Sequence, residues 1–450
     1  MHAILVNGRA LRRVFSWFRE DAFRRILTNS GWLLGANGIG TVLGMAQGIL
    51  VARTLGVEQY GILGMVMSFV TVVNRLTSFR MNEFVIKYVT DALAVRREDQ
   101  AAAAIKLAMA VEASAAVLAF GIVLLLAPLG AHWFLHTASA EALITAYAVV
   151  ILGNLVSETA IGVLQVFNQF RLQSFLTSIG HAVSLVAVTV VFLLRGDLWG
   201  ILLAYLVSNL ISASLLLITA VHEIGRRLGA DWWHASFTAL NGRWRSAVEF
   251  VLNTNVSATL SLITKDSDLL WLGYFRNPTE VGYYKLAMSL ATLVLMPVTP
   301  LGQSIYPEIA RKAASKQWPK LRGLLRKGSL LVASYIIPFG LVLSVSSEWL
   351  IRVFYGSEFG PAAVALVILM IGLSFASILF WSRPALLALG RPDYPMKVNI
   401  LIAVLKVIGV FALLPTFGYI GNAALLTGLY LLGVTISVLK VHSEICRQES

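Results

Sequence analysis

Twelve apolar runs of spanning length divide this chain, at roughly 28–51, 60–81, 101–127, 142–165, 172–194, 198–221, 248–273, 281–306, 326–347, 361–382, 395–415 and 418–441. Hydrocarbon offers an open backbone no hydrogen-bond partners, so runs of this length must be helices that satisfy their own peptide groups. Hydrophobic residues make up 58% of the chain and charged ones 13%, and the mean hydropathy is +0.77, which excludes a soluble globular protein. The expected fold is an all-α polytopic membrane protein.

The runs fall into two sets of six. The stretch 61–82, GILGMVMSFVTVVNRLTSFRMN, returns 221 residues later as 282–303, GYYKLAMSLATLVLMPVTPLGQ, in a frame anchored on Gly61 and Gly282. Met67/Met288, Ser68/Ser289, Thr71/Thr292, Ser78/Thr299 and Asn82/Gln303 then coincide. The polar members lie at i, i+3, i+10 and i+14, on one face of a helix. Two positions break the match, and each adds a cation: Arg75 opposite Met296, and Lys285 opposite Gly64. An even number of spans per repeat gives both halves the same orientation, related by an axis along the membrane normal. The expected organisation is a basic amphipathic segment 1–27, a first lobe 28–221, a surface linker 222–247, a second lobe 248–441 and a tail 442–450.

All but eight of the 36 Lys and Arg residues lie at the termini, in the even-numbered connections or at the span ends that adjoin them. The exceptions are Arg53, Arg195, Arg276 and Arg352 in the odd-numbered connections and Arg75, Lys265, Lys285 and Lys406 within spans. The positive-inside rule then places both termini in the cytoplasm. Most of the +13 net charge follows from this bias, so anionic lipid, and no nucleic acid, is the expected surface partner. The single cysteine, Cys446, excludes an internal disulfide and a cysteine-based metal cluster.

The first span is rich in glycine (Gly31, Gly35, Gly38, Gly40, Gly44, Gly48) among Asn37, Thr41 and Gln47, a pattern that permits close helix approach or bending. The seventh carries a polar stripe, Asn253, Ser257, Ser261, Thr264 and Asp268, with Lys265 and Asp266 beside it, suited either to interhelical hydrogen bonds or to a cavity wall. Pro297 and Pro300 interrupt the eighth as a hinge or a static kink.

No phosphate-binding loop, dinucleotide fingerprint, H-E-x-x-H or nucleophile elbow is present, and the seven histidines form no metal-ligand pattern. The chain therefore reads as a non-enzyme without cofactor or metal. The ionisable groups inside spans carry the functional signal, because such groups normally face a bundle interior or a wet cavity. Lys265 with Asp268 and Arg80 with Glu83 stand at i, i+3 and can pair. Arg75, Lys285 and Lys406 have no such neighbour, so each meets either an acid on another helix, such as Glu112 or Glu158, or an anionic substrate. Arginine can hold two oxygens of a diphosphate in its fork, while lysine acts as a mobile point charge.

The run Ala52-Arg53-Thr54-Leu55-Gly56-Val57-Glu58-Gln59-Tyr60-Gly61 resembles the Ala-Arg-x-Leu-Gly-x-x-x-Tyr-Gly signature of Wzx-type polysaccharide flippases, in the multidrug/oligosaccharidyl-lipid/polysaccharide exporter superfamily. Asp268-Leu269-Leu270-Trp271-Leu272-Gly273, with Val281-Gly282-Tyr283-Tyr284 and Pro307, is similar to the family's second-half counterpart. The resemblance implies two six-helix lobes, as in multidrug exporters of the superfamily, around a cationic cavity that opens alternately inward and outward. The cargo it implies is a polyprenyl-diphosphate-linked oligosaccharide, moved to the outer leaflet of a bacterial cytoplasmic membrane for O-antigen, capsule or exopolysaccharide synthesis. A polysaccharide polymerase and chain-length enzymes are the expected neighbours. Twelve spans fit a repeat-unit flippase better than a murein-precursor one with fourteen.

Arg75 and Lys285 are then the expected diphosphate ligands, assisted by Lys265 and Lys406, with Asn37, Gln47, Ser68, Thr71, Ser289 and Thr292 expected to contact sugar or diphosphate. Glu112, Glu158 and Asp266 are the candidates for coupling to H+ or Na+. The alternative is a cation-coupled multidrug antiporter of the same superfamily, which would favour acidic and aromatic cavity residues over the basic ones found here. A lipid scramblase or a membrane scaffold would leave the buried cations unexplained.

Overall fold

The computed structural model describes residues 21–137, 140–240 and 266–449, without the side chains of 21–37, 39, 239, 240, 300 and 303. Helices account for every regular element among them: α1 Asp21–Thr77, α2 Met81–Ala94, α3 Glu98–Gly130, α4 Ala140–Gly153, α5 Ser157–Val166, α6 Phe170–Leu193, α7 Leu198–Leu228, α8 Asp268–Phe275, α9 Pro278–Leu295, α10 Val298–Ala314, α11 Trp318–Phe354, α12 Ala362–Ile378, α13 Ser382–Ala388 and α14 Asp393–Glu449, with short 3₁₀ and π turns. By length and composition, eight helical segments among these residues could cross a membrane. Two of the eight, 40–94 and 393–449, fold back on themselves. Gly56 (φ 69°) and Gly418 (φ 54°) make the reversals in a left-handed conformation that a side chain would strain. Gly48 and Met67 line one cavity although a straight helix would hold them about 28 Å apart, and Lys406 reaches Asn422 at 3.2 Å across the second turn.

Four expected spans, 60–81, 142–165, 281–306 and 361–382, are not continuous. They break between α1 and α2, α4 and α5, α9 and α10, and α12 and α13, at corresponding places of the two halves. Broken backbone in a membrane survives where it is buried in protein or lines a wet cavity and its freed groups find other partners. At the α4–α5 break, Asn154 donates to Val150 O and Asn209 Oδ1, and Ser157 donates to Asn154 Oδ1. At the α9–α10 break, Pro297 lacks the N–H that a continuous helix would use.

The apolar cores divide unevenly. At the end holding the Gly56 and Gly418 turns, one cluster runs from Val51–Val73 and Ala116–Ile151 into Leu270–Val294 and Leu343–Leu373, joining both halves. At the opposite end the halves keep separate cores, one around Phe84, Ile105 and Ile224, the other around Ile309, Leu321 and Leu386. The halves are sealed together at the Gly56 end. The linker residues described, 222–240, continue α7 to Leu228 and then form two 3₁₀ turns, where Lys106 donates to Ala235 O at 3.2 Å.

Candidate transport site between the two halves

The duplicated stretches pack against each other at their matching glycines. A Cβ on Gly61 would lie 1.8 Å from Pro278 O, and one on Gly282 would lie 2.3 Å from Val57 O, so only glycine lets residues 57–77 of α1 and α9 approach this closely. One helical turn on, the mismatch noted in the sequence becomes a fit. Lys285 lays its stem against Gly64, its own counterpart, where a Cβ would come within 2.7 Å of the lysine Cδ. The Lys285 ammonium donates to Tyr60 O at 3.2 Å and sits 4.0 Å from the Tyr60 ring centroid.

Beyond this crossing the polar face expected on α9 is open. Ser289, Thr292 and Thr299 are exposed while Leu286, Ala287, Leu290, Ala291 and Val294 are buried. Ser289 and Thr292 donate to carbonyls of their own helix, leaving hydroxyl lone pairs outward. On the facing helix Arg75 is 51% exposed and donates to Asp266 Oδ2 at 2.5 Å. Ser68 is buried and donates to Asp266 O at 2.8 Å, and Thr71 is half-buried. The partner of Arg75 is thus Asp266 of the second half, not Glu112 or Glu158. Arg75, Ser289 and Thr292 are exposed on the face between the halves, and Lys285 is half-buried in the seam at Gly64 and Tyr60.

Other expected ligands lie elsewhere. Lys406, expected beside the diphosphate, is fully buried and pairs with Asp268 Oδ1 at 2.7 Å, while Tyr284 donates to Asp268 Oδ2 at 2.7 Å. Asp268, expected to pair with Lys265, therefore serves this network inside the second half. Lys265 and the Asn37 side chain lie outside the described residues, as does the stripe from Asn253 to Thr264. Gln47 lines a separate cavity of about 460 Å³ within the first half. Glu112 is buried and accepts from Glu158 N, Thr159 N and the Thr159 hydroxyl at 2.8, 2.9 and 2.6 Å, which caps the N-terminus of α5. Glu158 in turn faces the amides of Met81 and Asn82 at the start of α2. Arg80 and Glu83 pair at 2.8 Å.

Arg53 belongs to the signature run and to the first odd-numbered connection. It donates to Phe354 O at 2.7 Å and to Val353 O, reaching the C-terminal carbonyls of α11 in the other half. Tyr60 meets Phe359 edge-on, with ring centroids 5.7 Å apart. The signature run is the seam that seals the halves. Its spacing was visible in the sequence; its partners, about 300 residues away, were not.

A family model described as Polysaccharide biosynthesis protein matches residues 26–312. The chain belongs to that family. A second model, MatE, matches residues 257–411. Relatives include the inner membrane protein YghQ of Escherichia coli K12, 24% identical over 76% of this chain and 96% of that protein. The probable flippase AglR of Haloferax volcanii is 29% identical over 35% of this chain and 33% of its own length. Among solved structures, a multidrug resistance MATE family transporter of the MOP superfamily in an inward-facing conformation superposes with TM-score 0.74 at 13% identity, over 91% of this chain and 95% of that one. The lipid II flippase MurJ, in an inward closed conformation, does so with TM-score 0.70 at 14% identity, over 92% and 88%. These similarities establish a polytopic membrane protein of the two-lobe transporter fold.

Proposed function

We propose that this protein is a flippase that carries polyprenyl-diphosphate-linked oligosaccharide repeat units from the inner to the outer leaflet of the cytoplasmic membrane by alternating access. One observation carries the reading: α1 and α9 present Arg75 and the exposed hydroxyls of Ser289 and Thr292 on the face between the halves, with Lys285 in the seam at Tyr60, about 22 Å along α1 from Arg75. A diphosphate brings the charge the Arg75 fork can bind, and the hydroxyls suit a glycan. Arg75 is held ready by Asp266, and the incoming diphosphate takes the carboxylate's place. The family membership and the flippases among the relatives support the cargo class. With both termini in the cytoplasm, the sealed Gly56 end faces outward, and the state described accepts cargo from inside. Lys406 belongs to the core of its lobe and takes no part in binding. A drug antiporter needs acids facing the cleft, whereas Asp266 is engaged by Arg75 and Asp268 by Lys406.

Deletion of the gene in its host, with extraction of lipid-linked oligosaccharide and staining of surface glycan, tests the proposal. Accumulation of polyprenyl-diphosphate glycan with loss of surface polymer is expected, rescued by wild type and not by Arg75→Ala. Unchanged glycan with new sensitivity to cationic drugs refutes it.

A further inference from the structure

We infer that the cavity inside the first half is a binding site for an uncharged sugar of the cargo, distinct from the cationic face between the halves. It rests on the flippase reading and adds to it a second subsite.

The cavity holds about 460 Å³, within the roughly 300–1,000 Å³ of small-ligand sites, and lies among α1, α4, α6 and α7. Gln47, Tyr147, His181, Tyr205, Asn209 and Ser212 line it together with Gly44 and Gly48. No Asp, Glu, Lys or Arg is among its lining residues. A diphosphate would find no cation there and a cationic drug no carboxylate. Thr177, Ser208 and Ser212 donate to carbonyls of their own helices, and Asn209 Oδ1 accepts from Asn154. A purely apolar guest would still leave the His181 imidazole, the Asn209 amide N–H and the outward lone pairs of those hydroxyls unsatisfied in a low-dielectric setting, which is costly. A neutral polyol fits, because its hydroxyls donate to and accept from amides and imidazole alike, while tyrosine rings offer flat apolar faces to the C–H side of a sugar ring.

The glycines of the first span supply an independent argument. The sequence suggested that they permit close helix packing, and at Gly40 this holds, since a Cβ would lie 2.9 Å from His181 Cδ2. Gly44 and Gly48 have nothing within 4 Å of a Cβ position; they leave the cavity floor open. Two helix-weakening residues therefore preserve empty volume. Among the described residues, the corresponding pocket of the second half, between α13 and the two arms of α14, holds about 200 Å³ and includes Arg383. Among the described residues, the neutral lining belongs to the first half and a cation to the second.

The test uses purified full-length protein with Cys446→Ser and Ser184→Cys, which puts a single thiol on the cavity wall. The probe is the oligosaccharide released by mild acid from the lipid-linked pool of the deletion strain, set beside inorganic pyrophosphate. At twice its Kd the oligosaccharide should slow maleimide labelling about threefold, and pyrophosphate should not. Gly48→Leu, which fills the floor, and His181→Leu, which removes a polar partner, should each abolish the protection while thermal unfolding shows a folded protein. Labelling unchanged by the oligosaccharide, or slowed equally by pyrophosphate, overturns the sugar site and leaves the flippase reading standing. A deletion strain without lipid-linked glycan overturns both.

Discussion

Gly61 and Gly282 hold the same place in the two halves of the chain and meet across the seam, where a Cβ on Gly61 would strike Pro278 O and Gly282 N and one on Gly282 would strike Val57 O. The duplicated helices thus meet on their own pseudo-symmetry axis, and any side chain added there is met from both lobes. Overpacking of this kind costs about 1–3 kcal/mol. That cost falls only on the state sealed at the Gly56 end, so Gly61→Val or Gly282→Val should shift the population toward the state open at that end by about 5–150-fold. Maleimide labelling of Met65→Cys in a Cys446→Ser background reads the shift, because Met65 is fully buried against Gly273 in the sealed state. Unchanged labelling would mean that the seam does not part there.

Arg75 and Asp266 form a half-exposed pair, whose net worth to stability is about 0.2–1 kcal/mol. Arg75→Ala should leave membrane abundance within error of wild type and reduce surface glycan about tenfold or more, the loss of roughly 1.4 kcal/mol of cargo binding. Asp266→Asn keeps the arginine and removes its competitor, so pyrophosphate binding should tighten. Weaker binding in Asp266→Asn would show that the carboxylate positions the arginine and does not compete for it.

Lys406 and Asp268 behave differently because neither reaches solvent. Removing one partner leaves an uncompensated buried charge, so Lys406→Met should destabilise the protein by about 3–5 kcal/mol. The double variant Lys406→Met/Asp268→Leu should recover most of that loss, and denaturant unfolding in detergent measures both. Equal instability of single and double variants would show that packing, and not charge, holds the site.

Glu112 separates a structural role from coupling. Its carboxylate accepts three hydrogen bonds at the start of α5, and Glu112→Gln replaces one acceptor oxygen with a donor, at a cost of about 1–3 kcal/mol. The expected result is a lower Tm with the ion dependence of transport intact. Unchanged Tm with lost dependence on pH or Na+ would assign Glu112 to coupling instead.

The amino-acid sequence by itself determined the membrane class, the two-lobe duplication and the polar face of α9, since each rests on a periodicity that the backbone enforces locally. Ser289 and Thr292 are open on α9, as their spacing required, and Thr299 is open on α10 beyond the break. It also marked Arg75 and Lys285 as departures from the repeat. Only the tertiary structure decided what those departures mean: Lys285 fills the space that Gly64 leaves, Arg75 meets Asp266, and Lys406 disappears into a lobe with Asp268. Pro297 announced the break in the eighth span, but those at Ser78 and Asn154 were illegible, because apolar periodicity continues through both while the compensating groups at the α4–α5 break, Glu112 and Asn209, come from other helices. Spacing along a helix fixes which face a residue occupies; which charge waits opposite depends on helices far away in the chain, and that is settled only when the lobes pack.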